Sequence, residues 1–173
     1  MKRHFILSII LGFLFFLPMA VSATGQETFL VHLKTSLKQD DAQICVAYNV
    51  MWAALEEGYD VKVLVDADAI NTFKVGWGGK DDIEGYKIPE TLRQALSKQF
   101  DLPLAEVPET YGSFLKMLKE KGVQFYINTG FLMVSKIGTP EDPLKKVSQK
   151  FFKPITLKEM VRLRTEAKYY MAY

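Results

Sequence analysis

The chain has 173 residues, with 22 lysines and arginines against 20 aspartates and glutamates. So even a balance exerts no general electrostatic pull toward nucleic acid or anionic lipid. A single cysteine, Cys45, excludes an internal disulfide, and two histidines leave no basis for a histidine-rich metal cluster.

The first element is a leader. Lys2 and Arg3 precede an apolar run from Phe5 to Leu17 that only Ser8 and Gly12 interrupt. Pro18 ends the run, and Val21-Ser22-Ala23 places small residues where a signal peptidase reads. The run of about 13 residues falls short of the ~20 needed to cross a bilayer. Residues 1–23 are therefore expected to be a cleaved signal peptide. Residues 24–173 are then one exported domain, periplasmic or secreted, with no membrane attachment after cleavage. Losing Lys2 and Arg3 leaves that domain formally neutral, with His32 its only histidine.

Thr28 to Lys34 (TFLVHLK) reads as a buried strand, followed by a polar loop to Asp41. A helix is expected from about Asp41 to Glu57, capped by Asp40 or Asp41 and closed by Gly58. Asp60 to Val65 (DVKVLV) is a second strand, which completes a βαβ unit. A short helix near Ala69 to Phe73 precedes a loop marked by Gly76-Trp77-Gly78-Gly79 and Asp81-Asp82. Helices follow at Pro89 to Phe100 and about Pro108 to Lys121, the second with Phe114, Leu115 and Leu118 inward. Val123 to Asn128 (VQFYIN) is a third strand, and Phe131 to Ile137 a short helix. Phe151-Phe152 fits a short strand. Thr156 and Glu159 form a capping box that opens a helix to about Ala167, and Lys168 to Tyr173 is a terminal strand. Alternating strands and helices predict an α/β fold of three layers, α/β/α, around a mostly parallel sheet of about five strands.

The first helix is apolar on nearly every side from Ile44 to Leu55. One side must cover the sheet. The other, with Tyr48, Trp52 and Val46, is expected to meet another element or, in preference, another subunit. Trp52 and Trp77 read as packing residues of core and loop.

In a parallel sheet, ligands bind beyond the C-terminal strand ends. The loops there hold Ser36 after the first strand, Asp66 and Asp68 after the second, and Asn128, Thr129 and Gly130 after the third. The candidate ligand-binding set is Ser36, Asp66, Asn128, Thr129 and Gly130. Aspartates at such positions serve as helix caps, so neither a metal nor a cofactor is expected. No serine-hydrolase elbow, zinc-protease helix or phosphate loop is present. His32 falls inside a strand and reads as a packed sheet residue rather than a base.

This order of elements resembles the DsrE/DsrF-like sulfur-relay proteins. The resemblance is strongest at Gly122-Val123-Gln124-Phe125-Tyr126-Ile127-Asn128-Thr129-Gly130-Phe131 and continues through Lys136 to Asp142 into the last helix and strand. It implies the DsrE-like fold and assembly into a trimer or hexamer, or with a related subunit. In many members the matching loop carries a cysteine whose thiolate accepts sulfur as a persulfide. Here Asn128 stands at the first cysteine position and Phe131 at the second. The resemblance therefore implies an exported, non-catalytic relative that binds a small ligand or partner in a sulfur-related context. The alternative is a sulfur carrier that uses Cys45, which otherwise reads as a structural thiol amid apolar neighbours.

Overall fold

A computed structural model describes residues 25–173. The expected signal peptide lies outside the described residues. The strands are β1 (Thr28–Leu33), β2 (Asp60–Val65), β3 (Gln124–Asn128), β4 (Lys153–Ile155) and β5 (Tyr169–Ala172). They form one sheet in the order β4-β3-β2-β1-β5, and every neighbouring pair is parallel. β1 and β2 are near-continuous apolar runs because strands in the middle of a parallel sheet are covered on both faces.

The helices are α1 (Asp41–Glu56), α2 (Glu90–Gln99), α3 (Tyr111–Glu120), α4 (Thr129–Val134) and α5 (Leu157–Glu166). On the first face of the sheet, Val31, Val63, Phe125 and Ile127 join Ala47, Met51, Phe114, Leu115 and Leu132 in the main core. On the second face, Leu30, Leu64 and Ile155 are covered by Met160 and Leu163 of α5. Helices thus lie on both faces, as the three-layer expectation requires.

Three expectations are corrected. α4 begins at Thr129, directly after β3, because Asn128 caps it; the sequence suggested a start at Phe131. Phe151-Phe152 is not a strand: Phe152 is buried edge-on against Phe73 with ring centres 4.8 Å apart. β4 starts one residue later, and its Pro154 is tolerated because β4 is an edge strand. The outer side of α1 is covered within the chain. Trp52 lies flat on Phe100, with ring centres 3.9 Å apart and planes 4° from parallel, and edge-on to Phe114 at 5.6 Å. Tyr48 meets Tyr111 and Phe114 edge-on. Only Val46 of the three named residues is exposed, so α1 needs no second subunit to cover it.

The connections mark a place in the sheet. After β3 the chain turns onto the first face, where Leu132 of α4 enters the main core. After β4 it turns onto the second face as α5. Neighbouring strands whose following helices go to opposite faces make a topological switch point, where α/β folds hold ligands. Asn128 and Ile155, paired across β3 and β4, end their strands there.

Candidate functional site

Asn128 uses its whole amide. Its Oδ1 accepts from the backbone N–H of Gly130 at 2.9 Å and of Phe131 at 3.4 Å, which caps α4. Its Nδ2 donates to Oδ1 of Asp66 at 2.7 Å. Asp66 directly follows β2 and accepts at the same oxygen from Ala67 N at 2.7 Å. Ala67 has φ of +47°, a left-handed conformation uncommon for a residue with a side chain. Such strain costs of order 1 kcal/mol and persists where neighbours over-determine it; here the Asp66 carboxylate does so. Beside them, the Thr129 hydroxyl donates to the Ile155 carbonyl at 2.8 Å and ties the ends of β3 and β4 together. Gly130 is exposed beyond Thr129.

The cluster extends to two residues that sequence reasoning missed. His32 Nε2 lies 3.3 Å from Oδ2 of Asp66, and its Nδ1 lies 2.9 Å from the Tyr170 hydroxyl. An ionised carboxylate only accepts, so Nε2 carries the proton and Nδ1 accepts from Tyr170. A chain of hydrogen bonds thus runs Tyr170, His32, Asp66, Asn128 across β5, β1, β2 and β3. His32 is buried, as expected of a sheet residue, but it is not inert packing. Burial holds its pKa below the ordinary 6.5, while the neighbouring Asp66 carboxylate pulls the other way. The imidazole is therefore neutral at pH 7. The available signal was parity. His32 is two residues from Leu30, on the second face, and β5 brings Tyr170 beside Leu30.

Ser36 belongs to an adjoining loop rather than to this chain. Its backbone N–H donates to Oδ2 of Asp68 at 3.3 Å, and Asn71 donates to the other oxygen at 2.8 Å. Hydrogen bonding from Ser36 holds the Asp68 carboxyl below the usual carboxylate range. The structure thus brings Asp66, Asn128, Thr129 and Gly130 together and attaches Ser36 through Asp68. Among the described residues, no three of His, Cys, Asp and Glu converge to hold a metal ion.

Cys45 sits apart, in the second turn of α1 on the first face of the sheet. It is half-buried and lines a cleft of about 290 Å³ with Asp41, Pro89, Leu92 and Tyr111. Its sulfur is 3.7 Å from the donating Nδ2 of Asn49. Burial pushes the thiol up from its ordinary value, so little thiolate forms at neutral pH. Of the two tryptophans, Trp52 is core, but Trp77 packs against nothing and is fully exposed.

No protein-family model matches the chain, and no curated protein matches it in sequence. Among solved structures, the ychN protein from E. coli superposes on 86% of this chain and 100% of its own, with a TM-score of 0.53 and 12% identity. At that identity the likeness shows the fold alone, and the fold is the DsrE-like one that the sequence resemblance implied.

Proposed function

We propose that the chain is an exported DsrE-like protein that binds a small ligand or a protein partner at the ends of β3 and β4 and transfers no sulfur there. The observation that carries this reading is Asn128. It stands where the family's loop cysteine is expected, at the switch point of the sheet, and its amide is spent on the α4 cap and on Asp66. Asparagine offers no nucleophile for a persulfide. Thr129, whose hydroxyl donates to Ile155 but can still accept, and the exposed Gly130 are what the strand ends still offer a ligand. Assembly into a homo-oligomer, or with a related subunit that supplies a thiol, belongs to this reading. The exposed Leu157, Val161 and Met171 on α5 and β5 favour it.

A second reading makes Cys45 a sulfur carrier, and the cleft it lines favours that one. One experiment separates the two. Intact mass of the mature protein is measured before and after a persulfide donor, for wild type and Cys45→Ser. The first reading expects a mass consistent with removal of residues 1–23 and no sulfur gain in either protein. A gain that disappears in Cys45→Ser establishes the second reading and overturns the first.

A further inference from the structure

Tyr169 and Tyr170 are neighbours on the edge strand β5, exposed to 37% and 36%. Their side chains leave opposite faces of the sheet, and they end in different chemistry. The Tyr169 hydroxyl donates to Glu27 at 3.3 Å, and hydrogen bonding from Lys168 holds that carboxyl below its ordinary range. The Tyr170 hydroxyl donates to the buried, neutral imidazole of His32 at 2.9 Å. Asp66 fixes the tautomer by accepting from Nε2. A hydroxyl on a partly exposed side chain, an imidazole acceptor and a carboxylate in line are the parts that activate a weak nucleophile. The guanidinium of Arg164 lies 4.5 Å from the centre of the Tyr170 ring. Among the described residues it has no carboxylate within ion-pair reach.

We infer that Tyr170 is an activated nucleophile on the second face of the sheet. His32 is its general base, Asp66 a positioning residue, and Arg164 the group that draws in an anionic substrate carrying an acyl or sulfonyl-type electrophile. In the step, the phenol oxygen bonds to the electrophilic carbon or sulfur. The bond from that atom to the leaving group breaks, and the leaving group departs with its electron pair. The phenolic proton passes to Nδ1 of His32, and the resulting imidazolium is stabilised by Asp66 before it releases a proton to water. The charged or titratable groups around His32 are Asp66 just past β2, Tyr170 on β5, Lys34 just past β1 and Arg164 on α5. The two cations favour the neutral imidazole. No thiol takes part, so the inference stands or falls separately from the reading of Asn128.

The test is chemical labelling of the mature wild-type protein with 4-(fluorosulfonyl)benzoate, an anionic sulfonyl fluoride that loses fluoride when a phenol oxygen bonds to its sulfur. Peptide mass spectrometry compares Tyr170 with Tyr169 in one sample, so no variant has to fold. General-base assistance is commonly worth on the order of a hundredfold, and labelling of Tyr170 over Tyr169 by roughly that factor is expected. The ratio should fall toward one as pH drops through the His32 pKa, because a protonated Nδ1 cannot accept. His32→Gln should remove the preference. Arg164→Gln should slow the anionic probe but leave the neutral phenylmethanesulfonyl fluoride unchanged. Equal labelling of the two tyrosines in wild type, or a preference that neither pH nor His32→Gln alters, overturns the inference. An unchanged anionic-probe rate in Arg164→Gln overturns its substrate class.

Discussion

Asn128 both caps α4 and holds Asp66, and Asn128→Ala measures what the two roles contribute. The substitution removes the α4 cap, a loss of about 1 kcal/mol for such residues. It also takes from Asp66 the hydrogen bond at 2.7 Å. A bond to a charged group contributes about 1.5–3 kcal/mol when its partner is buried. The Asp66 side chain keeps 17% of its exposure, so water replaces part of that contribution. The expected loss is about 2–3 kcal/mol, out of ~5–15 for a domain of this kind. Asn128→Asp separates the two roles. It keeps an acceptor for Gly130 and Phe131 but places a second carboxylate against Asp66, so it should be weak at pH 7 and recover in mild acid, where the two carboxylates share a proton. Urea unfolding followed by far-UV circular dichroism, at pH 7 and pH 5, reads both variants. An alanine variant within about 0.5 kcal/mol of wild type, or an aspartate variant whose deficit relative to wild type is as large at pH 5 as at pH 7, would refute the reasoning.

Two further outcomes follow from the same geometry. Trp52→Ala should cost about 3–5 kcal/mol as a fully buried aromatic; because Phe100 and Phe114 belong to the same chain, that loss should be the same at every protein concentration, and a loss that changes clearly with concentration would return the α1 surface to a subunit interface. His32 has its folded-state pKa below the ordinary 6.5, so the unfolded chain binds the extra proton first as pH falls. The stability tied to the neutral imidazole is then full above about pH 6.5 and lost as pH drops through the folded pKa. Chemical denaturation between pH 7.5 and 5 should show that slope in wild type and a shallower one in His32→Gln; identical slopes would mean that His32 does not titrate in this way.

Much of the frame was legible because it rests on local signals. The apolar runs of β1 and β2, Asp40 before α1 and the Thr156–Glu159 capping box each act within a few residues. What escaped needed partners distant in sequence. An all-round apolar helix says only that its outer side is covered, and it took the return of Phe100 and Phe114 to show by what. Phe151-Phe152 has the composition of a strand, yet the ladder begins at Lys153. The candidate loops around Asp66 and Asn128 were readable as strand ends. The link between them, and the extension through His32 to Tyr170, depends on β5 crossing back to pair with β1. No periodicity within β1 or β5 encodes that.

The central claim is that one side chain, not the frame around it, keeps the end of β3 from handling sulfur. The direct test restores a cysteine there, with Asn128→Cys built into a Cys45→Ser background and the intact mass read after a persulfide donor. The account predicts that Cys45→Ser alone gains nothing. The double variant should gain one sulfur atom on a thiol that faces the Gly130 and Phe131 amides. A sulfur gain by Cys45→Ser alone, or no gain by a folded double variant whose new thiol is freely alkylated, would contradict it.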